Sequence, residues 1–293
     1  MPARAGCGVA IGHHGELVQG LFEDDGARLR RALVSLPCRQ LKSRARFNAS
    51  DSDHVDVLPG SCEKARRAAE LTISRFARPG TGGDLVINSN IPVGRGMGSS
   101  TADVLASIQA VLDYMEIEAA SDEVMRIAVS AETACDSTLF KRLAVLFAHR
   151  EGIVMEAFRR PLPPIDLISI DTTPEVTVDT LAYEPARYDA LEIETFRPLR
   201  SLLRSAIRHA DAPMLGRVAT ASARINERFL PKPGLDEIET IGGRFNAIGV
   251  QVAHSGTVVG LMFDALDPNA PMNIDGATDA LRSSGFEPAI FRH

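Results

Sequence analysis

Between Ile91 and Asp103 the chain reads IPVGRGMGSSTAD, with Gly94, Gly96 and Gly98 at alternate positions. Glycines so spaced let a backbone take positive φ and approach a ligand closely, where a Cβ would intrude. Ser99, Ser100 and Thr101 behind them are good N-cap types, and Val104, Leu105, Ile108, Val111, Leu112 and Met115 then recur at helical spacing. A helix is therefore expected to start where the glycines end. Its free N–H groups and the positive end of its dipole would face whatever the loop encloses, and phosphate suits that environment. A purely structural glycine turn reads the same way. It is not a Walker A loop, because no Lys-Ser or Lys-Thr pair follows the last glycine, and the glycine spacing does not fit a dinucleotide fingerprint.

Two carboxylates downstream could complete such a site. Glu132 lies three, four and seven residues after Val129, Ala128 and Met125, on the apolar face of a helix capped by Ser121 or Asp122 and running to about residue 134. A carboxylate on that face needs a cation or strong donors, which an ion pair or a bound metal would each supply. Asp136 follows in CDSTLF, a hydroxyl-rich turn in which an aspartate is an ordinary cap. Near the N-terminus, CGVAIGHHGELVQGL is an apolar run broken by Gly12 and Gly15 and carrying His13, His14 and Glu16. It reads as a strand, a tight turn bearing functional groups, and a return strand or short helix. Adjacent histidines rarely bind one ion, and no third ligand is evident. In GVQVAHSGTVVGLMFD, from 249 to 264, two strands flank a turn at His254-Ser255-Gly256.

The elements that would hold these groups follow from periodicity and breakers. A strand over 84–88 leads into the glycine loop, and strands over 32–47 carry the most basic part of the chain, read as a solvated face. A turn and short strand at 51–59 precede a helix over 65–76 and a loop at 79–83. Strands at 143–147 and 153–158 close a first domain. Pro161, Pro163 and Pro164 mark a linker, then come a strand at 165–170 and an irregular acidic segment to about 189. Helices over 192–210, 213–229 and 234–245 carry leucine and isoleucine stripes that read as core, and a helix at 274–283 and a strand at 288–291 end the chain.

With 293 residues, 45% hydrophobic and 24% charged, the chain can bury a sizeable core. A net charge of −6 gives no electrostatic case for nucleic acid. No apolar run approaches membrane-spanning length and no secretory leader is evident, so the expectation is a cytoplasmic protein. Four cysteines without C-x-x-C spacing read as free thiols in the core.

The P-x-G-x-G-x-G-S-S-x-A pattern resembles the phosphate loop of the GHMP kinases, and GRGMGSSTAD is similar to the version in their L-threonine kinase branch. GELVQG from Gly15, DSTLF from Asp136 and AHSGTVVGL from Ala253 resemble further segments of that branch in the same order. His13 and His14 depart from it, standing where small residues and a cysteine are more usual. The resemblance implies a two-domain α+β GHMP kinase fold. Residues 1–160 would form an N-terminal ATP-binding domain with a left-handed βαβ-type unit, and 161–293 a C-terminal ferredoxin-like domain. It implies ATP and Mg²⁺ as cofactors, with Pro92, Gly94, Arg95, Gly96, Met97, Gly98, Ser99, Ser100 and Thr101 around the phosphates. Ser100, with Ser99 as alternative, and Glu132 would hold the metal. Asp136 would take or orient the acceptor's hydroxyl proton, with Glu16 as a second catalytic carboxyl. His14, Gly15, Ser137, Ser255, Gly256 and Thr257 would contact substrate or phosphate, and Lys141 is either a surface lysine or a charge beside the transferring phosphoryl. The expected partner is a small amino acid or hydroxy acid, L-threonine first, with neither nucleic acid nor membrane and with a homodimer left open. The alternatives are another hydroxyl acceptor, such as homoserine, serine or pantoate, and a non-catalytic ligand sensor on the same fold.

Overall fold

A computed structural model describes residues 4–77, 81–140, 143–176 and 185–292. Strand β1 (Gly6–Glu23) runs antiparallel to β2 (Leu29–Ser50) over nearly its whole length. Burial alternates along β1 only as far as Val9 and is then continuous to Gly20, because helices α2 (Ser99–Met115), α4 (Ala190–His209) and α5 (Ala212–Glu227) pack on it. The tight turn expected at Gly12 to Gly15 is absent. The strand instead takes up the extra residues as register shifts between Ile11 and Gly12, His13 and Glu16, and Glu16 and Val18, and Gly15 sits at φ 58°. Such bulges re-aim side chains without ending a strand.

Next come β3 (Val55–Leu58), α1 (Glu63–Phe76) and β4 (Gly82–Ser89). Strands β3 and β4 pair in parallel with α1 between them, a βαβ unit. The loop after β4 opens α2 (Ser99–Met115), which is followed by α3 (Ser121–Glu132), a single 3-10 turn at Ser137–Leu139, and the hairpin of β5 (Val145–Ala148) and β6 (Ile153–Ala157). The chain then forms β7 (Ile165–Asp171), α4 (Ala190–His209), α5 (Ala212–Glu227), α6 (Leu235–Arg244), β8 (Gly249–Val252), β9 (Val258–Asp264), α7 (Ala270–Ser283) and β10 (Pro288–Phe291).

One sheet path, β10-β7-β9-β8-β1-β2-β4-β3, joins eight of these strands, and the β5–β6 hairpin attaches to it through β2. The path's first four strands, numbered by chain order within that group, lie 4-1-3-2. Helices intervene between the first and second and between the third and fourth, which is the ferredoxin-like arrangement. The two groups meet where Glu16 of β1 pairs with Val252 of β8. A core under α1, α2 and α3 fills one side of the molecule, and a second lies beneath α4 and α5. A third packs α6 and α7 on β7, β8 and β9.

Some local expectations need correction. The N-cap of α2 is Gly98 in the left-handed region, not a hydroxyl side chain, and α3 is preceded by Ala120 with no side-chain cap. All four cysteines are free, but only Cys38 and Cys135 are buried, while Cys7 is exposed. Lys141, the start of the 79–83 loop and part of the acidic segment before 189 lie outside the described residues. No helix among the described residues is long and apolar enough to cross a membrane.

Candidate active site

The loop between β4 and α2 is fixed from two sides. The His13 N–H of β1 donates to the Met97 carbonyl at 3.1 Å, and the Thr257 N–H donates to the Arg95 carbonyl at 3.2 Å. Within it Gly94, Gly96 and Gly98 have φ of 72°, 78° and 73°, a region that side chains rarely adopt. Space makes the same demand. A Cβ on Gly96 would lie 2.5 Å from the Ala253 side chain, and one on Gly98 2.4 Å from the His13 ring. The glycines therefore let β1, the loop and the 254–256 turn converge around the start of α2, whose first N–H groups face a cleft of about 790 Å³.

Glu132 closes that cleft from the end of α3. The Thr101 hydroxyl donates to its Oε2 at 2.9 Å, Lys64 Nζ stands 3.6 Å from Oε1, and the Ser100 hydroxyl also bonds it. Burial raises its pKa, with Ser100 and Lys64 opposing. A carboxylate and a hydroxyl beside the glycine loop form a hard oxygen donor set of the kind Mg²⁺ takes. Thr101 also links the two acids, since its hydroxyl oxygen accepts from the Asp136 N–H at 3.4 Å.

Asp136 pairs with a residue that its sequence neighbourhood does not indicate. His13 Nε2 is 3.0 Å from Asp136 Oδ2, and His13 Nδ1 is 3.6 Å from Glu16 Oε1 and 3.3 Å from the Gly15 carbonyl. Burial opposes charge on His13, but Asp136 and Glu16 outweigh it and raise the imidazole to about 9. Asp136 is held down at about 2, its burial overcome by His13. Burial pushes Glu16 up to about 8, the charge of Asp136 adding to the effect and that of His13 opposing it. Glu16 Oε2 accepts the His254 N–H at 2.6 Å, so this carboxylate also holds the 254–256 turn. His13, Glu16 and Asp136 offer ligand atoms all within 4.8 Å of one another. The short His13–Asp136 contact is an ion pair, with Glu16 beside it at 3.6 Å.

Beyond these three residues, His149 and His254 meet edge to face at 5.0 Å. Burial, reinforced by each other's proximity or by nearby Arg150, lowers them to about 3 and about 4. Both are therefore neutral imidazoles at neutral pH. They stand where the cleft continues into a side pocket of about 90 Å³ that also reaches Lys232.

The cleft thus brings together Gly94, Gly96, Met97, Gly98, Ser99, Ser100, Thr101, Glu132, Asp136, Glu16 and Ser255 from the set expected. Gly256 presses its backbone against Arg95 and Gly96. Other members point elsewhere. His14 faces the opposite side of β1, bonded to Ser169 at 2.7 Å and to Gln251, and burial lowers it to about 4. The Arg95 side chain turns outward to Asp171 at 3.1 Å and to the carbonyls of Thr173, Pro174 and Val176. Ser137 lines a separate pocket with Cys38 and Phe140. Gly15 serves close packing of β1 on β8, and Thr257 contributes its backbone while its hydroxyl is buried. Pro92 is exposed ahead of the loop. The cleft residues His13, Lys64, His149 and Arg150 were given no role by the motifs, nor was His254, although it lies inside one of them. The one trace was a pair of polar rings within an apolar strand.

Residues 63–139, the stretch running from α1 through the loop to Asp136, match the model of the GHMP kinases N-terminal domain. The chain carries a GHMP kinase N-terminal domain. Over 181 residues it is 34% identical to an L-threonine kinase of Salmonella typhimurium, an alignment covering 61% of this chain and 59% of that one. A homoserine kinase of Moorella thermoacetica is 28% identical over 200 residues, 67% of each chain. The chain thus spans about three fifths of the length of the L-threonine kinase it matches. Among solved structures, a homoserine kinase from Cytophaga hutchinsonii superposes with a TM-score of 0.71 at 13% identity, covering 99% of this chain and 95% of that one. Lactococcus lactis galactokinase gives 0.72 at 11% identity, covering 99% and 93%. The fold is the GHMP kinase fold, with the glycine loop and both acids at the cleft.

Proposed function

We propose that this chain is an ATP-dependent kinase acting on the hydroxyl of a small amino acid or hydroxy acid, with L-threonine as the first candidate. One observation carries the reading: Glu132 and Asp136 approach the same glycine cradle from opposite sides of Thr101, at the positive end of α2. The loop amides bind phosphate oxygens, and Ser100 and Glu132 are placed to hold Mg²⁺. That ion, when bound, would neutralise charge on the phosphates. Asp136, kept ionised by His13, orients the acceptor hydroxyl. As the new O–P bond forms and the bond from the γ-phosphorus to its bridging oxygen breaks, Asp136 takes the hydroxyl proton and ADP leaves. A carboxylate held near 2 is a weak base. Phosphoryl transfer tolerates this because it depends mainly on positioning and charge neutralisation.

The identity to L-threonine kinases favours threonine, and the homoserine kinase relative makes homoserine the second acceptor to test. The reading also divides the chain near residue 160, the nucleotide belonging mainly to the first part. ADP release measured over threonine, homoserine, serine and pantoate is expected to single out threonine, and Asp136→Asn to lower kcat by about 10²–10⁴. Turnover of another acceptor alone would reassign the substrate. Absence of turnover on all four would leave a binding protein.

A further inference from the structure

The side pocket holds a cation with too few partners. Lys232, in the loop between α5 and α6, is 2% exposed, yet among the described residues its Nζ donates to a single acceptor, the Leu230 carbonyl at 3.0 Å. An ammonium has three donors to satisfy, and burying a charge without partners is costly. No carboxylate lies within ion-pair distance of Nζ among the described residues. Glu227 and Glu16 act on it only through their fields, and burial lowers it to about 8. Glu227 takes the Lys232 backbone N–H at 2.9 Å instead.

A second cation stands nearby. Arg150, in the turn between β5 and β6, lines both the side pocket and the main cleft, and it forms no ion pair among the described residues. The third cation of the pocket, Arg31, is already engaged, donating to the Ala186 carbonyl at 2.6 Å and lying over the Tyr188 ring. The carboxylates Glu16 and Asp136 line the main cleft and not the side pocket; in the cleft Glu16 Oε2 accepts the His254 N–H and Asp136 pairs with His13. An anion entering from the cleft past His149 and His254 would meet two uncommitted cations and two neutral imidazoles.

We propose that Lys232 and Arg150 form the subsite for the acceptor's carboxylate, so that the acceptor must be a hydroxy acid with a free carboxyl group. The inference rests on the kinase reading for the word acceptor, but the subsite itself is a statement about binding. The geometry orders the substrate: its carboxylate lies at the closed end near Lys232 and its hydroxyl at the Asp136 end, beside the cradle. The side pocket, of about 90 Å³, suits a fragment of a few heavy atoms such as a carboxylate and its neighbours.

The test is calorimetric binding to the full chain saturated with Mg²⁺ and a non-hydrolysable ATP analogue. The probes are L-threonine and L-homoserine against their decarboxylated counterparts, 1-amino-2-propanol and 3-amino-1-propanol. The wild type is expected to bind at least one of the acids about tenfold or more tighter than its counterpart. Lys232→Met should abolish that preference and Lys232→Arg restore part of it. Arg150→Ala, a change at an exposed position that does not touch the core, should reduce it. Equal binding of acid and amine by the wild type, no binding of either acid, or an undiminished preference in both Lys232→Met and Arg150→Ala overturns the proposal. ADP release run alongside separates the two readings. A Lys232-dependent preference without turnover keeps the subsite and rejects the kinase. Turnover of the amino alcohols as fast as the acids keeps the kinase and rejects the subsite.

Discussion

His13 has 2% of its surface exposed and sits between two carboxylates, so its proton is tied to the folded state. Its folded pKa, about 9, lies above its ordinary 6.5, so its contribution to stability is complete below pH 6.5 and is lost as pH rises through about 9. Glu16 acts in the same direction, since raising it from 4.5 to about 8 means the folded chain holds a proton that the unfolded chain releases. Asp136 behaves oppositely, contributing above pH 3.8 and losing its contribution as pH falls through about 2. The thermal midpoint is therefore expected to decline between pH 6.5 and 9, with about 1–3 kcal/mol attributable to His13. His13→Gln should flatten much of that decline, and a slope unchanged by the substitution would show that the pairing does not operate in solution. None of this was legible in the sequence, where His13 was only a departure from a familiar motif. Its meaning comes from Asp136, far along the chain, which the bulged register of β1 brings to it.

The segment from β4 through the glycine loop to α2 was the most readable part of the chain, because strand, loop and helix are all local signals. Why each glycine stands where it does is not a local signal. Gly98 serves φ, close packing on His13 and proximity to Asp136 at once, with an added Cβ 3.4 Å from the Asp136 carboxylate. Gly98→Ala is expected to cost about 1–3 kcal/mol. It should also weaken binding of an ATP analogue beyond what the lost stability explains, as titration of the folded fraction would show. Gly243→Ala is the matched control. Gly243 lies in α6 with open space around its Cβ position, and alanine there should leave binding intact and stabilise by up to about 1 kcal/mol. Equal effects of the two changes on binding would remove the cradle's claim to a special geometry. The elements misread from sequence were those decided by tertiary packing. β1 continues through its glycines because β2 and β8 pair with it on both sides, and α2 starts at a glycine because the loop is held by β1 and by the 254–256 turn.

At the scale of the molecule, the cleft and the side pocket differ in how they are assembled. The cleft belongs mainly to one run of sequence, whereas the pocket takes Arg31 from β2, Arg150 from the β5–β6 turn, Lys232 from the α5–α6 loop and His254 from the turn after β8. Those contributors are scattered along the chain, so no spacing rule could have found them. The hydrophobic core is shared in the same way. Leu17, Val18, Phe22, Val34 and Leu146 from before residue 160 pack with Phe196, Leu199, Leu203, Leu215 and Met262 from after it, and the sheet runs through without an edge at that point. A division near residue 160 is therefore expected to be one of role, not of independent folding. Residues 1–160 made alone would expose those five side chains, each contributing about 1.5–3 kcal/mol when fully buried, against a total stability of about 5–15 kcal/mol. The fragment is expected to show no cooperative thermal transition. The whole chain should unfold in one step, with far-ultraviolet dichroism and calorimetry coinciding, which matters because it has no tryptophan to report tertiary structure. An ATP analogue with Mg²⁺ should move that single transition upward as a unit. Two separated transitions, only the first of them shifted by the analogue, would show instead that the nucleotide-binding part folds on its own and that the shared core couples the parts only weakly.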